Sequence, residues 1–287
     1  LMKYKYGNTQ CISTQVGCRM GCKFCASTLN GLVRNLTAGE ILSQALIVNR
    51  TEGGTLKDRA VTNLVLMGSG EPFDNYENVV RFLRRVTDAQ GIGISARNIS
   101  LSTCGIVPKM MQFAEEGIPL NLTVSLHAVT DEERARTMPV ANAYKIADIL
   151  DACAHYFDKT GRRYIFEYSL IAGENADEAH AIALAKLLRG RPCHVNLIRL
   201  NEVKERTLIA AREQEAQRFF RQVGVAKTRV RQVMLIGGGR MGYYLARQLL
   251  ATGMDVKIIE SDAKRCEELS QLLPEATILH GDGTDQR

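Results

Sequence analysis

Along residues 9–200, short apolar or β-branched runs recur between longer stretches in which apolar positions fall every three or four residues. The runs at 9–13, 61–67, 98–102, 121–125, 164–170 and 194–200 predict six strands. Helix starts are predicted where a capping residue is followed three positions later by a carboxylate: Thr37 with Glu40, Asp74 with Glu77, and Asn175 with Glu178. Residues 144–157 set Ile146, Ile149, Leu150, Cys153, Ala154 and Phe157 on one face, which makes Cys153 a packing residue. Strand and helix alternate, and parallel strands need long right-handed crossovers, so the units must close into a barrel or a doubly wound sheet. An eight-unit barrel uses about 250 residues, so six units in about 220 predict a partial (β/α)6 barrel.

Near 223–231 the pattern restarts. VRQVMLIGGGRMGYYLARQLLATGMDVKIIESD reads as strand, glycine turn, helix and a second strand ending in acid. The expectation is an α/β chain of two domains, a barrel over 1–228 and a truncated Rossmann-like βαβαβ unit over 229–287. No Pro/Ser-rich linker, low-complexity tract or internal repeat marks the join.

Composition narrows the class. The 287 residues contain no run of about 18 apolar positions, and LMKYKYGNTQ lacks the apolar middle of a secretory signal. A cytoplasmic protein without membrane insertion is expected. The formal charge of +6 lies wholly in 1–228, where 29 Lys and Arg face 23 Asp and Glu; 229–287 carries 8 of each. That surplus suits a polyanion such as RNA, but also many ordinary enzymes. LMKYKYGN, alternating Lys3 and Lys5 with Tyr4 and Tyr6, serves equally as phosphate and base contacts or as a half-exposed edge strand.

Four of the eight cysteines fall in CISTQVGCRMGCKFCAST, residues 11–28. In a reducing compartment such a cluster points to metal or catalysis rather than to disulfides. Cys18, Cys22 and Cys25 form CxxxCxxC on a loop after a strand, a spacing that lets three thiolates meet an iron–sulfur cluster and leaves one iron open. Structural zinc would need a fourth ligand, for which Cys11 is the candidate, and unrelated structural thiols are the third reading. Cys104 reads as a buried thiol. Cys193 and His194 are adjacent and would face opposite sides of a strand, which argues against a shared metal site.

With GLVRNLTAGEI after it, the cysteine string resembles the RlmN family of radical S-adenosylmethionine (SAM) adenine-C2 RNA methyltransferases, over residues 1 to about 225. The resemblance implies a 4Fe–4S cluster on Cys18, Cys22 and Cys25, with SAM on the open iron and cleaved to a 5′-deoxyadenosyl radical. It further implies 23S rRNA and tRNA as substrates, and an electron donor such as flavodoxin or ferredoxin. A target base would have to leave its stack to reach the barrel. Cys11 would resolve a protein–RNA covalent intermediate. In MGSGEPFDNY, Gly70 and Glu71 would hold the methionine end of SAM; Ser102 in LSTCG, Ser125 and His127 in VSLHA, and Asn201 in LIRLN would add SAM contacts. Taken singly, these residues read as a tight turn with a surface acid, helix caps or loop positions.

Two departures stand out. The family's second catalytic cysteine should follow QVGV at 222–225, yet no cysteine occurs between Cys193 and Cys266. The family's N-terminal RNA-binding accessory domain and upstream glutamate are also not in the sequence. Cluster and SAM binding are expected, without completed methylation.

In the second segment, Gly237, Gly239 and Gly242 form GxGxxG, and Glu260 ends the next strand. The glycines would admit a pyrophosphate to a helix N-terminus while the acid binds ribose, or they merely make a tight turn. With IIESDAKRCEEL and LHGDGTD, the segment resembles the TrkA N-terminal (RCK) domain of potassium-uptake regulators. That resemblance implies NAD or ATP as ligand and places Asp282 near the adenosine. About three strands are present where the complete fold uses about six, so the open sheet edge is expected to seek a partner. The joining of two incomplete coding sequences is the expected origin. A nucleotide-sensing regulatory module with the barrel as passenger is the competing function.

Overall fold

The structure, a computed structural model, describes residues 1–5, 7–223 and 232–282. Tyr6 and the expected boundary at 228/229 lie outside the described residues. The chain divides into two units, Leu1–Val225 and Ala226–Arg287.

In the first unit the order is β1 (Met2–Tyr4), β2 (Gly7–Cys11), β3 (Gln15–Gly17), β4 (Leu32–Asn35), α1 (Ala38–Thr51), β5 (Asn63–Leu66), α2 (Tyr76–Val86), β6 (Ile99–Thr103) and α3 (Val107–Glu115). There follow β7 (Asn121–Ser125), α4 (Asp131–Thr137), α5 (Ile146–Thr160), β8 (Tyr164–Leu170), α6 (Glu178–Leu188), β9 (Cys193–Arg199) and α7 (Glu213–Gln222). Among the described residues, seven strands form a curled half-barrel in the order β1-β2-β5-β6-β7-β8-β9, parallel throughout except for antiparallel β1. Strand order follows chain order, as short right-handed βα units dictate. Met2–Tyr4 is an exposed edge strand. The short antiparallel pair β3 and β4 was not legible in the sequence; it brackets the cysteine loop.

The sheet has two unlike faces. On β6, Ile99, Leu101 and Thr103 are buried while Ser100 and Ser102 are half-buried. The apolar set joins helix residues such as Phe113, Ile149 and Tyr156 in one core; the polar set faces the concave side, where a site can form. The face expected on 144–157 lies on α5, whose Ile146, Ile149, Leu150, Cys153 and Tyr156 are buried, with Phe157 packed beside them.

Of the three expected helix starts, one stands as read. Thr37 caps α1 in a full capping box with Glu40. Asp74 is not a cap: Glu71 caps a 3-10 turn at Pro72–Asn75, while the Asp74 carboxylate pairs with Arg19 and accepts from Gln15 Nε2 at 2.9 Å. Asn175 is not a cap either. Asp177 caps α6, and the buried Asn175 amide donates to the carbonyls of His127 and Ser169 and accepts from Ile171 N.

The second unit comprises β10 (Gln232–Ile236), α8 (Arg240–Ala251), β11 (Asp255–Glu260), α9 (Ala263–Leu272) and β12 (Thr277–His280), with a parallel sheet ordered β10-β11-β12. Its buried core is small: Ala246, Val256, Ile258, Leu269 and Leu273. Gly242 lets α8 close on the turn after β10, because a Cβ there would stand 2.2 Å from the Gly237 carbonyl oxygen. Gly242→Ala is expected to destabilise this unit by about 1–3 kcal/mol, enough to loosen so small a core. Hydrogen exchange over 232–282 reads the effect; unchanged protection would show that helix and turn can separate freely.

Candidate functional site

The cysteine loop and the C-terminal ends of β5, β6 and β7 surround a cavity of about 100 Å³. Of the residues expected at a site, Cys18, Cys22, Cys25, Gly70, Glu71, Ser102 and Ser125 all line it. Three of the expected residues do not. Cys11 ends β2 with its thiol exposed, 3.5 Å from the Gly68 carbonyl oxygen. Asn201 is exposed just beyond β9. His127 lies next to the cavity, its ring edge-on to Phe24 at 4.7 Å between centroids.

The cysteine loop is held by its own backbone. Cys18 N donates to Gly31 O at 2.9 Å, and Thr28 Oγ1 donates to the carbonyls of Cys22 (3.0 Å) and Cys25 (2.9 Å). Lys23 N donates to Thr137 O at 2.9 Å, which docks the loop on the end of α4. Cys22, Cys104 and Met138 pack as a small apolar cluster, with Phe24 and Cys25 against it. All these thiols are free.

The three thiols are close enough to perturb one another. Burial pushes the Cys22 thiol up to about 12, helped by the nearby Cys25 and Cys18. Burial also raises Cys18, with Glu71 and Cys25 adding to it. Thiols in such a place ionise only against a strong positive charge, which an iron–sulfur cluster supplies. Among the described residues no group of His, Cys, Asp or Glu side chains is arranged to hold a metal ion by itself. Thiolates on a cluster bind different irons, so they stand farther apart than the roughly 3.8 Å between ligands of one tetrahedral zinc with Zn–S of about 2.3 Å. The donor set, three soft thiols lining one cavity, fits the cluster.

Glu71 is buried and already well bonded: its carboxylate accepts from Phe73 N (3.0 Å), Thr103 Oγ1 (2.7 Å) and Cys104 N (2.8 Å). Burial raises its pKa against these bonds, which act to lower it. The Cys104 side chain is a further hydrogen-bonding neighbour, so an ammonium group reaching this carboxylate would compete with it. Gly70 sits at φ +106°, and a Cβ would meet Gln15 Cβ at 2.6 Å, so only glycine lets this turn lie against the start of β3.

The sequence did not single out Thr103, Glu167 or Arg134. Glu167, on β8, has its pKa raised by burial, and among the described residues its carboxylate takes only a 3.4 Å bond from Ser102 Oγ. Cys104, read as a buried thiol, is buried and lines the cavity. Cys193 packs half-buried against the core while His194 is exposed, as opposite faces require.

His127 is neutral. Its Nδ1 accepts from Ser169 N at 2.9 Å, and burial pulls its pKa down to about 3. Below about 6.5 the unfolded chain binds a proton that the folded chain refuses, so this group's contribution is complete above 6.5 and lost as pH falls toward 3. The expected slope is about 1.4 kcal/mol per pH unit within that window. His127 has φ +56°, which asparagine tolerates, and an asparagine oxygen can take the Ser169 bond. Urea melts of His127→Asn should therefore show a flatter pH dependence than wild type between about pH 6 and 4; identical slopes would refute the assignment.

Residues 12–185, more than half of the chain, match the family model of the radical SAM superfamily. The chain belongs to the radical SAM superfamily. That family implies a 4Fe–4S cluster and SAM. Residues 233–287 match the TrkA-N domain model. The probable dual-specificity RNA methyltransferase RlmN of Clostridium perfringens (strain SM101 / Type A) is 54% identical over 220 residues, 77% of this chain and 62% of the relative. Its counterpart in Clostridioides difficile (strain 630) is 55% identical over 206 residues, 72% of this chain and 59% of the relative. The chain thus spans about six-tenths of the length of these curated relatives. Among solved structures, a radical SAM methyltransferase from Sphaerobacter thermophilus superposes with a TM-score of 0.74 at 42% identity, covering 78% of this chain and 65% of that one. HydG, a maturase of the [FeFe]-hydrogenase, shares the fold at a TM-score of 0.57 and 12% identity, over 94% of this chain and 55% of that one.

In the second unit Gly237, Gly239 and Gly242 line an open cavity of about 760 Å³. Glu260 is turned onto its own backbone, accepting from Gly238 N at 2.6 Å, Ser261 N at 2.8 Å and Asp262 N at 3.0 Å, and these bonds lower its pKa. Asp282 is exposed after β12. No helix among the described residues is long and apolar enough to cross a membrane.

Proposed function

We propose that the first unit is the SAM-cleaving core of an adenine-C2 RNA methyltransferase of the RlmN kind, acting on 23S rRNA and tRNA. The observation that carries this reading is the gathering of Cys18, Cys22, Cys25, Gly70, Glu71, Ser102 and Ser125 around one cavity at the C-terminal ends of the strands. Cys18, Cys22 and Cys25 would hold the cluster. Glu71 and Gly70 would receive the methionine end of SAM; Ser102, Ser125, His127 and Asn201 would add contacts along the same end of the sheet. A cluster held there would supply, with one electron from a flavodoxin- or ferredoxin-type donor, the reductive cleavage of SAM to methionine and a 5′-deoxyadenosyl radical. The protein's part is to orient the ligand and to keep water away, which Phe24 and Met138 do with apolar surface. Cys11, exposed at the end of β2, is available for covalent chemistry with RNA.

The sequence between Cys193 and Cys266 offers no thiol to take the methyl group first. Reconstituted protein with SAM, dithionite and RNA is therefore expected to release methionine and 5′-deoxyadenosine without forming C2-methyladenine. Formation of C2-methyladenine would refute the methylation block. A fully loaded cluster that leaves SAM intact would refute the cleavage.

For the second unit the proposal is nucleotide binding at the glycine turn, with NAD or ATP as ligand. A ribose would then compete with Gly238 N for Glu260. Titration calorimetry with each nucleotide tests this, and no heat with either contradicts it.

A further inference from the structure

Helix α4 has the sequence DEERART, which reads as a solvated surface turn, yet Arg134 within it is 0% exposed. Its Nη2 donates to Cys104 O at 2.6 Å and Ser125 O at 3.0 Å, while Nε and Nη1 are buried with no partner among the described residues. No ion pair to it is formed among the described residues, where Asp131 instead accepts from Ile146 N. Guanidinium keeps its charge even when buried, and an unpaired buried charge costs several kcal/mol. A compensating anion is therefore called for.

The surroundings say where that anion sits. Cys104 and Ser125, whose carbonyls hold Arg134, both line the thiol cavity. Met138, one turn beyond Arg134, packs against Cys22 and Cys104, and the cysteine loop is bonded to Thr137. Burial lowers the pKa of Arg134, and Cys104, Cys22 and, after them, the Asp131 carboxylate counter that shift, the two sulfurs ahead of a carboxylate that is already bonded to Ile146 N. A 4Fe–4S core with three thiolates is anionic when oxidised and gains one further negative charge when reduced.

We propose that Arg134 is the buried countercharge of the cluster, a positioning residue that favours the reduced state from behind the thiol cavity. This rests on the cluster reading given above. A fixed charge without intervening water acts more strongly on the doubly charged state, because the interior screens it poorly. The alternative is a purely mechanical role, tying the ends of β6 and β7 to α4.

The test uses the full chain, reconstituted anaerobically, with reduction by dithionite followed by electron paramagnetic resonance against a redox buffer. Arg134→Gln is expected to raise the oxidised-to-reduced ratio about tenfold at a given potential, a downward shift of about 59 mV for one electron. Arg134→Lys, which keeps a charge but not the fork, should stay within about twofold of wild type. Equal ratios in wild type and a fully loaded Arg134→Gln protein would overturn the proposal, as would Arg134→Lys shifting as far as Arg134→Gln. Should Arg134→Gln fail to fold, Arg134→His replaces it: its ratio must fall about tenfold more than that of wild type between about pH 8 and about pH 5.5, and an equal response overturns the proposal. Failure of the wild-type chain to take up iron would remove the cluster reading and this proposal together, whereas an unmoved ratio removes this proposal alone.

Discussion

Cys22→Ala protein, reconstituted without oxygen, is expected to retain less than about a tenth of the iron and sulfide of wild type and to lose the absorbance at about 400 nm. Cys22 is buried, lies in the middle of CxxxCxxC and lines the cavity with Cys18 and Cys25. With Cys18, Cys22 and Cys25 as the proposed ligands, loss of this thiolate would leave two for a cluster already one ligand short, so the effect should be near-complete. Cys153→Ala is the control. That thiol is buried in the apolar core on α5, where burial raises its pKa, and its removal should cost stability while leaving iron content unchanged. Equal iron loss in both variants would show that cysteine removal acts through folding.

Glu71→Ala should weaken SAM binding by at least about a hundredfold and lower unfolding stability by about 3 kcal/mol. Both effects have one source. The carboxylate takes two backbone N–H groups and the Thr103 hydroxyl in a site closed to solvent, and alanine would leave all three unsatisfied. The same carboxylate holds the turn that contains Gly70 against the end of β6, so ligand contacts and local structure fall together. Glu71→Gln separates them. Its amide oxygen can keep the Phe73 and Thr103 bonds, but its NH2 faces the Cys104 N–H, so stability should recover in part while affinity for the SAM ammonium stays low. Urea melts and equilibrium dialysis of SAM read the two quantities. Full affinity in the glutamine variant would show that the negative charge is not what the ligand meets.

The curled parallel sheet was legible because short apolar or β-branched runs between helical stretches are a local signal. Residues 121–125 and 164–170 became β7 and β8 without change. Thr37 with Glu40 read correctly because a capping box closes within four residues and needs nothing else. Asp74 and Asn175 carry the same local pattern, yet tertiary partners outcompete the helix: Arg19 and Gln15 for one, the carbonyls of His127 and Ser169 for the other. The pair β3 and β4 escaped notice because three- and four-residue strands joined across a cysteine loop carry neither alternation nor turn signature.

The lining of the cavity was legible where spacing itself is a signal, as in CxxxCxxC and in the glycine–glutamate turn after β5. It was not legible at Arg134, since nothing in a charged heptapeptide says which charge points inward. Glu167 was hidden likewise among the apolar residues of β8, since only the curvature of the sheet tells which face lines the concave side. Cys11 and Asn201 share the motifs of the site but not its cavity; their expected roles depend on what the bound partners bring to them.

The most direct measurement is metal and sulfide analysis of the anaerobically reconstituted chain, joined to electron paramagnetic resonance of the reduced protein before and after SAM. About four iron and four sulfide per chain, with a signal that changes shape when SAM is added, is the predicted result. One zinc per chain, or a cluster signal indifferent to SAM, would contradict it.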